Sequence, residues 1–280
     1  MSEPAAGARS TGVDPTGLSP TGSSVPEPEP ADPQADELPY RMVRPYRVRF
    51  EEATAAETMR TAIYLAWAAD IAWQHSTALV FGRDWYAARD LFWLVRAVKL
   101  DVLRPIRTYE NVLVTTEVTG YRRIAARRHS NVFDASRGLL ARLEIDWVMI
   151  NERGVPTRVP DQMREFIADR SATFDMMKVS LPETPPDAAE MAFGVRRRDL
   201  DPLDHVNNSV YIDYFEEALE TAGQGSLLTM IPRRYEIDFV ASAGRGDRLL
   251  GRTWPLDGGR ACRLSRVDGT EIFRAKVTRP

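Results

Sequence analysis

Asp201 and His205 stand four residues apart, directly ahead of Val206-Asn207-Asn208 and a stretch with helical spacing. A carboxylate in such a place can take a proton from water or attack as a nucleophile, and an imidazole can polarise a carbonyl. The first N–H groups of a helix lack intrahelical partners and sit at the positive end of its dipole. Those around Val206–Ser209 are therefore expected to point outward, unpaired, as a site for a developing oxyanion. Each residue also has a plainer role. Asp201 precedes Pro202 and suits an Asx-turn, and His205 suits a packed, hydrogen-bonded ring near a sheet. Asn207 and Asn208 are good helix caps, and for them capping is the stronger expectation.

Other chemistries lack their residues. The chain has three histidines (His75, His129, His205) and one cysteine, Cys262, with no CxxC or HExxH spacing, so no metal site is expected. There is no GxSxG elbow, no Walker-type loop and no strand–GxGxxG–helix unit; Gly244-Arg245-Gly246-Asp247 lacks the third glycine. No cofactor is expected. The lone cysteine cannot form an internal disulfide, and no secretory signal or membrane-spanning apolar run is visible, so the expected compartment is the cytoplasm. Net charge is −3, but residues 1–40 hold seven acids against Arg9 alone, which leaves the other 240 residues at +3. That mild excess does not point to nucleic acid. It fits an acidic partner or an anionic substrate.

The elements that position Asp201 and His205 follow from periodicity. Residues 1–39 carry eight of the nineteen prolines and read as a disordered tail, so folding is expected to begin near Tyr40. Beyond it a pattern occurs twice. A short strand, 42–50, leads to a helix over 57–74, where Met59, Ile63, Trp67, Ile71 and Gln74 recur at helical spacing with alanines between them. Strands are predicted at 90–103, 110–122, 125–135 and 139–151. After a proline-rich passage, 180–187, come a strand near 190–198, a helix over 208–222 and strands at 233–240, 247–254, 260–267 and 270–278. Two copies of strand, long helix and antiparallel strands give an α+β fold in which curved sheets wrap central helices. The divisions are a tail (1–40), a first unit (41–168), a linker (169–189) and a second unit (190–280). Only the second copy has an acid and a histidine before its helix. The equivalent stretch of the first is taken to be Phe50–Ala55.

Two stretches carry a family likeness. Asp199–Glu220, DLDPLDHVNNSVYIDYFEEALE, resembles the hotdog thioesterase signature of an acidic D-x-D followed by HVNN and an aromatic. Asp90–Val118, with the strand Asp146–Pro160, resembles the N-terminal hotdog of plant and bacterial acyl-carrier-protein thioesterases. The likeness covers about residues 42–280 and implies a tandem hotdog, its second half active and its first shaping acyl selectivity. It implies that Asp201 is the base or nucleophile of thioester hydrolysis and that His205 polarises the carbonyl or shares the proton. Val206, Asn207 and Asn208 would frame the oxyanion and substrate. Trp67, Trp73, Phe92 and Trp93 would line or block an acyl tunnel, favouring a short, branched or aromatic acyl group. The expected partner is an acyl-carrier-protein or CoA thioester, with no nucleic acid and no membrane, on a monomer or homodimer.

The sequence departs from the family at three positions. Leu203 stands where the family has an asparagine, and Ser242 and Ala243 stand where it has a glutamate and an adjacent cysteine. What remains is closer to the hydroxybenzoyl-CoA type, in which one aspartate does the work. The alternative is an inactive hotdog protein that binds acyl or aromatic ligands or a carrier protein. The runs Arg122-Arg123, Arg127-Arg128, Arg196-Arg197-Arg198 and Arg233-Arg234 could grip an acidic carrier or CoA phosphates. Taken singly, each pair reads as a solvated face. His75 reads as a C-terminal helix residue and His129 as a surface one.

Overall fold

A computed structural model describes residues 38–167 and 173–280. The expected tail lies almost wholly outside the described residues, as does part of the linker. The alternation of Val112, Val114, Thr116 and Val118 with polar or exposed neighbours buries one face of their strand while the other stays half-exposed. That pattern recurs along the strands of each copy. The first copy contributes β1 (Arg41–Arg47), β2 (Leu91–Val102), β3 (Asn111–Tyr121), β4 (Ala125–Phe133) and β5 (Leu139–Asn151). The second contributes β6 (Ala189–Gly194), β7 (Arg233–Phe239), β8 (Arg248–Leu256), β9 (Gly259–Arg266) and β10 (Glu271–Thr278). They form one antiparallel sheet in the order β1-β3-β4-β5-β2-β7-β10-β9-β8-β6.

The two halves meet where β2 pairs with β7, from Ala97 opposite Asp238 to Val102 opposite Arg233. Two long helices, α1 (Thr61–Ala78) and, in the second copy, α4 (Asn208–Thr221), pack against one another and against the buried sheet face. Alanines at 62, 68 and 72 keep α1 narrow enough to be buried on most sides. One apolar core runs through both copies, joining Ile63, Ile71, Val98 and Leu143 to Tyr211, Phe215, Ile237 and Phe273. A smaller cluster of Phe81, Tyr86, Leu91, Met149, Val159 and Met163 closes the far end of the first copy. The α+β tandem architecture expected from the sequence is the one observed.

Several boundaries differ for local reasons. Helix α1 starts at Thr61, four residues later than expected, because Glu57 takes φ 58° in a closed turn in which Thr54 N–H donates to Thr58 O. Strand β1 stops at Arg47, after which Val48 N–H turns to Glu110 O. Strand β6 stops at Gly194 because Asp199 accepts the Arg196 N–H and winds Arg197–Asp199 into a 3-10 turn. Three short helices, α2 (Arg83–Ala87), α3 (Asp161–Glu165) and α5 (Ser226–Thr229), are too brief to show a period. Among the described residues no helix is long and apolar enough to cross a membrane.

Charged side chains tie the halves together. Asp101 on β2 is buried and accepts from Arg142 on β5 and from both Nε and Nη2 of Arg234 on β7. On the same face of the sheet Arg127 grips Asp146 at 2.7 and 2.9 Å. Over this pair runs the segment after the first copy. Arg122 donates to Phe174 O, Arg127 to Asp175 O, and Met177 N–H to Asp146. Further along, the Val179 N–H reaches Asp238 on β7, and Thr184 accepts from Arg263 on β9.

Candidate active site

Residues 199–208 fold into a closed turn ahead of α4. Asp201 N–H donates to His205 O at 2.8 Å and Asp204 N–H to Asp201 O at 3.0 Å, with Asp204 at φ 58°. The Asp201 side chain is part of this turn, its Oδ1 accepting the N–H of Leu203 at 2.8 Å and of His205 at 3.3 Å. That is the Asx-type role its position before Pro202 suggested. Among the described residues Oδ2 takes no hydrogen bond, and the His205 ring is exposed with none. Asp199, the other acid of the D-x-D, is buried and committed to the Arg196 N–H and the Tyr214 hydroxyl.

Asn207 caps α4, its Oδ1 accepting from Ser209 N at 2.9 Å and Ser209 Oγ at 2.7 Å. The expectation of a free run of N–H groups over Val206–Ser209 is corrected here. Val206 N–H goes to Ala243 O, Asn207 N–H to Asp199 O, and Ser209 N–H to the cap. Among the described residues only the Asn208 N–H of that run has no protein acceptor. The backbone of His205 bridges to Gly244, so the turn is stitched to the chain leaving β7. Tyr211 completes the stitch from α4 by accepting the Ala243 N–H on its hydroxyl at 2.8 Å, and burial pushes that phenol up to about 12.

Around the turn stand the residues that depart from the family pattern. Leu203 is exposed, Ala243 is fully buried, and the Ser242 carbonyl accepts from Arg266. Arg266 also pairs with Asp247, whose carboxyl is held below its ordinary value by the Gly244 N–H and then by Arg266 itself. Arg245 bridges to Asp204 at 2.7 Å.

The first copy holds the same turn without the chemistry. Thr54, Glu57, Thr58 and Arg60 repeat the backbone hydrogen bonds of Asp201, Asp204, His205 and Asn207, including the positive φ at Glu57. The true counterpart is thus 54–60, not 50–55, and Thr54 and Thr58 occupy the places of the acid and the histidine. A cleft of about 690 Å³ opens between the copies, lined by Arg60, Arg196, Asp199, Ser209, Asp213 and Tyr214 among others, with Arg60 bridged to Asp213. Its volume suits a small ligand. Asp201 and His205 lie next to it in sequence but do not line it.

The four aromatics expected at an acyl tunnel are not brought together. Trp67 is in the main core, its ring on Tyr46 and its N–H toward Glu52. Trp73 is 47% exposed and stacks on Tyr86. Trp93 packs in the smaller cluster and donates to the Tyr86 hydroxyl, while Phe92 beside it is half-buried on the alternate face of β2. His129 is near the surface beside Glu144, as expected. His75 is not a simple helix-end residue: it is fully buried, its Nδ1 2.9 Å from Arg128 Nη1. The signal was present in β4, where Arg128, Ser130 and Val132 alternate onto the helix-facing side. Among the described residues no group of three or more His, Cys, Asp or Glu side chains is arranged for a metal.

Comparison with known proteins bears on the whole constellation. Residues 39–167 match the family model for the acyl-ACP thioesterase N-terminal domain, and residues 183–255 that for its C-terminal domain. An oleoyl-acyl carrier protein thioesterase of Coriandrum sativum is 23% identical over 209 residues, 66% of this chain and 54% of the relative. An acyl-carrier-protein hydrolase of Cuphea viscosissima is 30% identical over 139 residues, 46% of this chain and 34% of the relative. The chain thus spans about half the length of such relatives or less. The crystal structure of an acyl-ACP thioesterase from Bacteroides thetaiotaomicron superposes with a TM-score of 0.73 at 17% identity, covering 85% of this chain and 97% of that one. The 12:0-ACP thioesterase from Umbellularia californica does so at 0.70 and 20% identity, over 85% and 96%. At those identities the likeness is one of fold.

Proposed function

The chain belongs to the acyl-ACP thioesterase family, and from that premise we propose that it hydrolyses an acyl thioester, carried on acyl carrier protein or on CoA, to release a carboxylic acid. The observation that carries this reading is the asymmetry between two otherwise matched turns. Asp201 and His205 stand where the first copy has Thr54 and Thr58, on the same hydrogen-bonded frame.

Two backbone N–H groups hold Asp201 Oδ1 and so orient the carboxylate, leaving Oδ2 to take a proton from water or to attack the thioester carbon. The oxyanion then develops next to the Asn208 N–H, among the described residues the one donor of the α4 N-terminus that the turn does not consume, with the His205 ring as a second hydrogen-bond donor. Tyr211 keeps Ala243–Gly244 against the turn and acts through position alone. The cleft whose wall includes Ser209 and Val210 offers a route of approach to that helix end. The division of labour proposed for the units is the one the family resemblance implies, acyl selection in 41–168 and catalysis in 190–280, and the position of the acid and histidine supports the second part.

Acid release from a panel of acyl-carrier-protein and acyl-CoA thioesters, short to long, tests the reading. Asp201→Asn is expected to lower kcat by roughly a hundredfold or more with an unchanged circular dichroism spectrum. Turnover near wild type in that variant would remove Asp201 from the mechanism. No acid release by the wild-type chain from any thioester, together with saturable acyl-carrier binding, would instead select the inactive binding protein.

A further inference from the structure

Inside the first copy, away from the turn at Asp201, the core is interrupted by a cation. Arg128 on β4 reaches toward α1, and its Nη1 meets His75 Nδ1 at 2.9 Å and Thr116 Oγ1 at 3.4 Å. Ser130 and Thr116 beside it are buried, and the phenols of Tyr121 and Tyr86 are near enough to act on its charge. Among the described residues no carboxylate lies within ion-pair distance of Arg128, whereas its neighbour Arg127, facing the other way, has both Glu144 and Asp146. Burial pulls the Arg128 guanidinium below its ordinary value, the direction expected for a charge held away from water.

A second polar group points to the same place. Trp147 Nε1 is buried and among the described residues has no acceptor. In the register of the sheet Trp147 stands opposite Ala126, and Arg128 opposite Ile145, so indole and guanidinium are diagonal neighbours on one face. Two buried donors thus stand side by side on one face, and among the described residues no carboxylate pairs with either. The row continues toward the other copy: Arg128 pairs with Ile145, Ile145 with Val98, and Val98 with Ile237 on β7. Three strand spacings, about 14 Å, separate Arg128 from β7, whose continuation is stitched to His205.

We infer that Arg128, with Trp147 beside it, forms a receptor for the far end of the acyl group, and that this end carries an anionic or hydrogen-bond-accepting oxygen instead of a terminal methyl. The inference rests on the acyl-thioester reading above and specifies its substrate class. A carboxylate there would give the guanidinium its missing counter-charge and the indole its acceptor. A plain alkyl end would supply neither a counter-charge nor an acceptor.

The test compares hydrolysis of matched hexanoyl and adipoyl thioesters of one carrier by the wild-type chain, Arg128→Lys and Arg128→Met. Wild type is expected to favour adipoyl in kcat/KM by about tenfold or more, Arg128→Lys to keep part of that preference, and Arg128→Met to lose it. A wild-type preference for hexanoyl, or a ratio unchanged in Arg128→Met, overturns the inference. Should Arg128→Met fail to fold, the wild-type ratio and Arg128→Lys decide. Should no thioester be hydrolysed, the function fails separately, and binding of free adipate against hexanoate, read by tryptophan fluorescence, decides the receptor alone. Saturable adipate binding weakened in Arg128→Lys sustains it, and no binding overturns it.

Discussion

Glu216 shows how a single side chain can set a pH dependence that the sequence does not advertise. It sits on the exposed-looking Glu216-Glu217-Glu220 side of α4, yet its Oε1 accepts from the Tyr235 hydroxyl at 2.6 Å. Burial raises its carboxyl above the ordinary value, opposed by hydrogen bonds from Thr61 and Tyr235 and by the charge of Arg233. The folded chain therefore keeps a proton that the unfolded chain gives up. Stability is full below the ordinary glutamate value and declines as pH climbs from there through the raised one. Glu216→Gln retains hydrogen-bonding capacity and removes the charge, so urea unfolding should show that decline flattened. The variant should be the more stable of the two at pH 8. An unchanged pH slope would show that Glu216 does not titrate in that window.

At the scale of elements, the caps and turns decide where the chemistry sits. Asn207→Ala removes the side chain that holds the first turn of α4 and should cost about 1 kcal/mol in urea unfolding. Because the same turn fixes the Asn208 N–H, kcat should fall more than KM changes; a loss of stability with kcat unchanged would separate the cap from catalysis. The strands and both long helices were legible because Val112–Val118 alternates and Tyr211–Phe215–Leu219 recurs at helical spacing. The turns were not legible. Whether Thr58 stands in for His205 depends on hydrogen bonds from Thr54 and Glu57 that leave no periodic trace. Helical spacing, by contrast, already set Trp67 with Ile63 and Ile71 and left Trp73 off that face, in line with one entering the core and the other facing out. Arg128 was hidden differently, since its pairing with Arg127 in sequence suggested a solvated pair although strand alternation sends the two to opposite faces.

For the whole molecule the junction of β5, β2 and β7 is the decisive contact, and Asp101 is its centre. Burial opposes the charge of Asp101, but hydrogen bonds from Arg234 and Arg142 outweigh it and hold the carboxyl below its ordinary value. This contribution is present above the ordinary aspartate value and is lost as pH falls through the depressed one, so acid should loosen the seam between the copies. Asp101→Asn leaves two arginines without their anion and should cost about 3 kcal/mol, read as a lower urea midpoint. A midpoint within error of the parent would place the seam's strength in its apolar row instead. The two matched turns, one bearing Asp201 and His205 and the other Thr54 and Thr58, have a consequence of another kind. When two identical subunits make such a sheet, each substitution is imposed twice, and a cavity carved in one is carved in both. A duplicated and fused chain escapes that constraint. One copy can retain the reacting groups while the other discards them and remodels its interior, as the guanidinium under β4 illustrates, so inheritance acts on a division of labour that a symmetric pair could never record.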